Sequence, residues 1–397
     1  MDRKCYELTP NDVLFFRDGR PMDVDKAQQD VRNVGHGANW PRPDHLFKGV
    51  IHALIGDRMA YESAYGEFGG LKVFGPFPKK DDGEIYLPRP LDWDMRTFAC
   101  KETTDLPDPL ECGFLDRREG KKKYPVWVKL SDFKTYLEGR EHDLYVGKER
   151  DEYGEDTEVV RFPYSDGDLF KIETRIGNTL DSRTHASKRV RDCHRSGEYQ
   201  ADYLRLEKDI RMWCAVETGR RKNGEDAPEV PVSFIMGGQG GIVTCRGTSF
   251  DLKQELKKPE PVVSGKLVKW TLITPAYFPG NGWLPDFCND TSNVMPRKPL
   301  GTVMLRRLKD GPLVGAKLVG ACVGKPVIYS GWDTETRVKP TQLAVPAGSA
   351  YLFRCDNVES AKALIDVLHL KSRSQNSGQG FGIGVCSLVD DFKNENN

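Results

Sequence analysis

His36, His45 and His52 fall in one early window of this 397-residue chain. Metal-free RNA cleavage needs only a base and an acid near a 2′-hydroxyl and a leaving oxygen, so that window raises a nuclease as one reading. Ten cysteines are spread along the chain, with no CxxC or HxxxH spacing. The one adjacent pair, Cys193 and His194, has no partner nearby in sequence to complete four ligands. Asp18, Asp44, Asp92 and Asp94 stand near element ends, where carboxylates cap helices or pair with arginines. No metal site and no cofactor is assigned.

Chemistry directed at anions is better represented. Arg17 and Arg20 flank Asp18-Gly19 after the apolar run Val13–Phe16; one of the two is expected to pair with Asp18 and the other to reach a phosphate. His45 and Lys48 lie one turn apart at the start of a helix, where amide ends and cations meet an anion together. Arg175 sits on an expected strand ahead of a loop at 183–195. That loop carries Arg183, Lys188, Arg189, Arg191 and Arg195 against Asp192 alone, so it is a positive segment with little balancing acid. Late in the chain Gly378, Gly380, Gly382 and Gly384 leave main-chain amides uncovered and permit positive φ, which lets a phosphate or a second helix approach closely. Phe381 between them either stacks on a base or packs against the preceding helix.

The elements that must position these groups are legible from pattern. Lys4–Leu8 reads as a strand. Apolar residues at 46, 47, 50, 51, 54 and 55 follow helical spacing, with Pro43 and Asp44 suited to a first turn. Strands are expected at 267–274, 317–323, 327–330 and 349–355. Asn357 is an N-cap for a helix to about Leu370, buried through Ala361, Leu364, Ile365 and Leu368. The glycine segment then enters a last strand at 385–389. A dinucleotide-binding glycine motif follows a strand and opens a helix, and the opposite order here argues against it. The charge runs at 117–123 and 149–158 read as solvated loops.

Composition bounds the rest. Lys plus Arg number 59 and Asp plus Glu 59, so any polyanion must be held by local patches rather than a global field. No signal-peptide core or membrane-length apolar run occurs, and the expected compartment is the cytoplasm. The Lys-, Glu- and Pro-rich stretch 251–265 marks a boundary, dividing the chain into domains 1–258 and 259–397.

Six ordered blocks carry a resemblance. They are Leu14-Phe15-Phe16-Arg17-Asp18-Gly19-Arg20-Pro21; Tyr86-Leu87-Pro88-Arg89-Pro90-Leu91-Asp92; Thr274-Pro275-Ala276 with Gly282-Trp283-Leu284-Pro285; Ser330-Gly331-Trp332-Asp333; Pro346-Ala347-Gly348-Ser349; and the terminal Gly380-Phe381-Gly382. Together they resemble the third subunit of the Cmr module, the type III-B CRISPR–Cas effector, a member of the RAMP superfamily. The resemblance implies an α+β fold of two ferredoxin-like, RRM-related domains with long loop insertions, the second closing with the glycine-rich loop. It also implies a non-catalytic subunit that holds the 5′ handle of the crRNA, docks the large polymerase-like subunit, abuts the backbone RAMP subunits, and meets target RNA only indirectly. In related handle-binding subunits an extended hairpin or loop reaches over the RNA, a task that Lys188, Arg189, Arg191 and Arg195 would perform here. The family's small-residue Pro-Pro-Ser entry to the first helix is replaced by Trp40-Pro41-Arg42-Pro43-Asp44-His45. Two rival readings stand beside this one: a RAMP endoribonuclease acting through the early histidines, and an assembly scaffold whose basic patches face acidic subunits.

Overall fold

The computed structural model describes residues 2–18, 34–35, 37–55, 70–100, 110–116, 124–150, 156–178, 183–184, 198–219, 229–261, 266–288, 315–333 and 337–392. It divides into two compact units, one of residues 1–83, 167–249 and 328–342, the other of 84–166, 250–327 and 343–397. Mixed α and β structure, rich in strands, runs through both.

In the first unit the strands Asp2–Pro10, Lys72–Lys80, Ile210–Thr218 and Ile242–Thr248 form one sheet. Numbered in chain order, they lie side by side as 4-1-3-2, every pairing antiparallel, with the short strand Ser233–Ile235 outside the fourth. The helix Pro43–Ile55 links the first strand to the second. Leu46, Phe47, Val50 and Ile51 on one of its faces are buried, as their three- and four-residue spacing requires. Trp213 lies edge-on to Phe74 at 5.7 Å and stacked with Phe77 at 6.4 Å, and fills the sheet's core. A separate hairpin pairs Phe170–Asn178 with Glu198–Leu206 over nine residue pairs. At roughly 3.4 Å per residue its arms extend about 30 Å.

The second unit repeats the arrangement. Lys266–Leu272, Ala316–Cys322, Ala350–Cys355 and Gly384–Asp390 again lie as 4-1-3-2, antiparallel throughout, and the sheet continues through Cys112–Asp116 and Met95–Ala99. The helix Val358–Leu368 connects third to fourth strand. Asn357 accepts the Ser360 amide at 2.8 Å, and Ala361, Leu364, Ile365 and Leu368 are buried, as the spacing predicts. The helix stops at Leu368 because the His369 backbone turns extended, and His369 is then held on both ring nitrogens. Nδ1 accepts from Cys386 N at 3.1 Å, and Nε2 meets the Leu256 carbonyl at 2.9 Å.

The Tyr86–Asp92 block has a structural purpose. Tyr86–Pro88 pairs with Trp127–Lys129, Arg89 Nε donates to the Pro125 carbonyl at 3.0 Å, and buried Asp92 meets Lys269 Nζ at 3.1 Å and the Tyr136 hydroxyl at 2.6 Å. A buried pair of this kind holds its partners in register, since removing one member strands a charge. One expectation is corrected in this unit. The 149–158 run is not a plain loop, because Val146–Arg150 and Asp156–Val160 pair as an antiparallel ribbon around it. The run at 117–123 lies outside the described residues.

Candidate nucleic-acid interface

Past the first strand, Leu14 exchanges backbone hydrogen bonds with Leu204 at 2.9 and 2.8 Å, Phe15 bridges to Gly238, and Arg17 bridges to Gly37. Leu14 and Phe16 are fully buried, and Phe15, Phe16 and Arg17 line a groove of about 700 Å³. Arg42, His45 and Lys48, from the start of the first helix, line the same groove, as does the glycine turn at 237–238. Three cations therefore line it, and Asp44 lies 3.1 Å from Arg42 Nε and 3.6 Å from Lys48 Nζ. Among the described residues no carboxylate pairs with Arg17, and Arg20, the other arginine expected to pair with Asp18, lies outside them.

Arg42, noted in the sequence only as a departure from the family's helix entry, organises this corner. Its guanidinium lies 4.6 Å from the centre of the buried Tyr329 ring. Nη2 stands 3.1 Å from His45 Nε2, and the Arg42 amide donates to His45 Nδ1 at 3.2 Å. Nδ1 thus accepts from the Arg42 amide while Nε2 lies against the guanidinium, and the ring stacks on Phe16 at 4.9 Å. Burial pulls the His45 pKa down, Asp44 opposes it, and Arg42 and Lys48 add to the fall, leaving it at about 3. His45 is therefore a neutral wall of the groove rather than a cation or a ready proton acceptor. His52, two turns on, lines the groove and is exposed; His36 lies outside the described residues.

The terminal glycine segment is built differently from the expectation. Gly382 N–H donates to the Pro275 carbonyl at 2.7 Å, Gly380 N–H to Ser377 at 3.3 Å, and Ile383 N–H to Thr274 Oγ1 at 2.9 Å. Gly378 is buried in a single 3₁₀ turn, Ser377–Gln379. Phe381 is 1% exposed, its ring 4.7 Å from Tyr277. The Gly380 and Gly382 amides expected to be open are engaged within the fold, and the ring belongs to the core. Gly382 has φ 68°, and a Cβ there would sit 2.3 Å from that of Ser374. These glycines permit close packing of chain on chain.

Arg175 is likewise engaged. Its guanidinium bonds Glu173 at 2.6 Å and Asp12 at 3.1 Å, with Arg205 bridging the same two acids. Hydrogen bonds from Arg205 and Arg175 hold Glu173 at about 2. Arg183 is exposed. Arg20, Lys188, Arg189, Arg191 and Arg195 lie outside the described residues, as do Cys193 and His194. Among the described residues no cluster of three metal-ligating side chains occurs, and no helix is long and apolar enough to cross a membrane.

Sequence reasoning missed Phe15 and Arg42 as groove residues, and also the glycine turn beside them. A signal for the turn existed. Gly238-Gln239-Gly240-Gly241-Ile242 repeats, one residue shorter, Gly378-Gln379-Gly380-Phe381-Gly382-Ile383, and each copy leads into the fourth strand of its 4-1-3-2 sheet.

Comparison with known proteins places the chain. It resembles a chain in the cryo-electron-microscopy structure of the type III-B Cmr-beta complex bound to cognate target RNA, at 14% identity and TM-score 0.46, covering 88% of this chain and 86% of that one. A chain of the Csm3–Csm4 subcomplex of the type III-A interference complex gives 11% identity and TM-score 0.39 over 88% and 92% of the two chains. No curated protein matches. The family model for the CRISPR-associated protein Cas_Cmr3 matches residues 6–386. With nearly the whole length matched and the six blocks in order, the chain belongs to the Cas_Cmr3 family, the third-subunit family of the Cmr module.

Proposed function

We propose that this protein is a non-catalytic, RNA-binding subunit of the type III-B effector in the cytoplasm. It holds the crRNA 5′ handle, docks the large polymerase-like subunit and abuts the backbone RAMP subunits. In this reading the chain holds two ferredoxin-like domains, 1–258 with insertions and 259–397 with the glycine-rich loop; the repeated 4-1-3-2 order supports two such folds. The observation that carries the RNA reading is the first unit's groove, where Arg17, Arg42 and Lys48 flank the ring of Phe15. Single-stranded RNA is gripped by cations on phosphates and aromatic planes on bases, and a groove offering both suits it. The basic 183–195 loop, at the end of a long hairpin, supplies a second set of cations.

The state of His45 supports the non-catalytic reading over the nuclease, because its Nδ1 already accepts the Arg42 amide and its Nε2 lies against the Arg42 guanidinium. Photoreactive handle RNA in the assembled complex is expected to crosslink to this subunit. Labelling confined to neighbouring subunits would instead favour the assembly scaffold, and discrete cleavage of repeat RNA by the pure protein in EDTA would favour the nuclease.

A further inference from the structure

We propose that Tyr329 is a positioning residue of the groove: its ring fixes the Arg42 guanidinium, and through it the arrangement of cations that the groove offers to single-stranded RNA. This rests on the RNA reading of the groove and adds the residue that orders its charges. Tyr329 lies on the strand Val327–Asp333, and residues 328–342 belong to the first unit. Ser330, which opens the block Ser330-Gly331-Trp332-Asp333, lines the groove, and Tyr329 before it is buried. The other lining residues lie between positions 15 and 238. A strand from late in the chain therefore completes a site built by the early part.

Arg42 is restrained on a face and on an edge. Tyr329 covers the face, with its ring centre 4.6 Å from the guanidinium carbon. Asp44 takes the edge, Oδ1 accepting from Nε at 3.1 Å and Oδ2 from Nη2 at 3.4 Å. A planar cation restrained in both ways keeps one orientation, whereas one held by a carboxylate alone swings about that contact.

Two neighbours depend on that orientation. Nη2 stands 3.1 Å from Nε2 of His45, a wall of the groove. Lys48 reaches the same Asp44 only at 3.6 Å, and its side chain is 39% exposed against 12% for Arg42. Arg42 thus takes the closer share of the carboxylate and leaves Lys48 the outer one. Removing the ring lets Arg42 move off Asp44 and Lys48 close on it, which draws the outer cation away from the groove. A site whose charges are already ordered spends less entropy when a phosphate arrives.

The test uses the full-length chain, two fluorescent single-stranded RNAs of equal length, one of handle sequence and one scrambled, and ¹⁵N-labelled arginine. Tyr329→Phe keeps the ring. Tyr329→Leu keeps apolar bulk and removes the face; where it fails to melt cooperatively, Tyr329→Met fills the space instead. Arg42→Gln identifies the Arg42 side-chain signal and completes a double-mutant cycle. We expect that signal to lie upfield of the other arginines in wild type and Tyr329→Phe, shifted by the ring, and to join them in Tyr329→Leu. Tyr329→Leu should weaken RNA binding about fivefold, Tyr329→Phe less than about twofold, and Tyr329→Leu should cost nothing further in the Arg42→Gln chain. An Arg42 signal at the ordinary position in wild type would overturn the proposal however the variants fold. So would an equal loss from Tyr329→Leu in both backgrounds, since the tyrosine would then serve packing alone. A wild-type chain that binds neither RNA while its Arg42 signal behaves as expected would overturn the RNA reading, and the proposed role with it. Equal binding of the two RNAs with the coupling intact supports the positioning role and removes the handle reading.

Discussion

The two glycine turns of this protein share a motif and a position before a last strand, and they differ in what surrounds their amides. At 378–384 the neighbouring Thr274–Tyr277 segment supplies acceptors, and the ring of Phe381 fills the space between. At 237–241 the phenylalanine is missing, the turn is one residue shorter, its tip is exposed, and Gly237 and Gly238 line the groove that also holds Arg17, Arg42 and Lys48. Glycine content thus specifies only that main chain can come close to something. Whether that partner is the protein itself or a ligand depends on which acceptors already lie within reach.

The largest effect that would break this comparison is on stability. Gly384→Val places a Cβ 2.3 Å from Trp270 Nε1 in the second core, and a urea melt should show a loss of about 3 kcal/mol. Gly240→Ala, strained but sterically open, should lose less than about 1 kcal/mol. Similar losses at the two sites would mean that the turns are equivalent. Next in size is RNA affinity. Joint replacement of Lys188, Arg189, Arg191 and Arg195 by alanine should lower the slope of log affinity against log salt by roughly one unit for each phosphate left without its cation. An unchanged slope would remove the hairpin loop from the interface and leave the groove as the sole electrostatic site. Arg17→Ala alone should reduce that slope by about one and weaken handle and scrambled RNA alike. A sequence-selective loss would show that Arg17 reads a base.

The smallest effect concerns pH. The folded pKa of His45 is about 3, below its ordinary value of 6.5, so the unfolded chain binds more protons between those values. The stability that His45 contributes is complete above about pH 6.5 and is lost as pH falls toward about 3. His369, also lowered by burial, acts in the same direction in the second unit. Denaturation followed from pH 7 to 4 should show a shallower decline for His45→Asn than for wild type. Parallel curves would mean that the imidazole is not held neutral by its surroundings.

Much of the fold was legible because periodicity records burial directly. The faces of both long helices and the strands of the second sheet stand where alternation and three–four spacing put them, and Asn357 caps its helix as its side-chain chemistry requires. The six blocks likewise carried family membership on their own. The Tyr86–Asp92 block, however, conveys no reason for its residues until Asp92 is seen against Lys269, 177 positions away.

The site was less legible, since availability is a property of neighbours distant in sequence. Arg175 was singled out as a cation free to bind, yet Asp12, 163 positions earlier, holds it. Arg42 looked like a departure from a helix entry, and the Tyr329 ring makes it a wall of the groove. Composition and spacing alone determined where both long helices and the main strands of the second sheet form, because those choices depend on residues a few positions apart. Which amides and which charges remain for a ligand was decided only by tertiary packing, because a hydrogen bond or an ion pair belongs to whichever partner folding brings within about 3 Å.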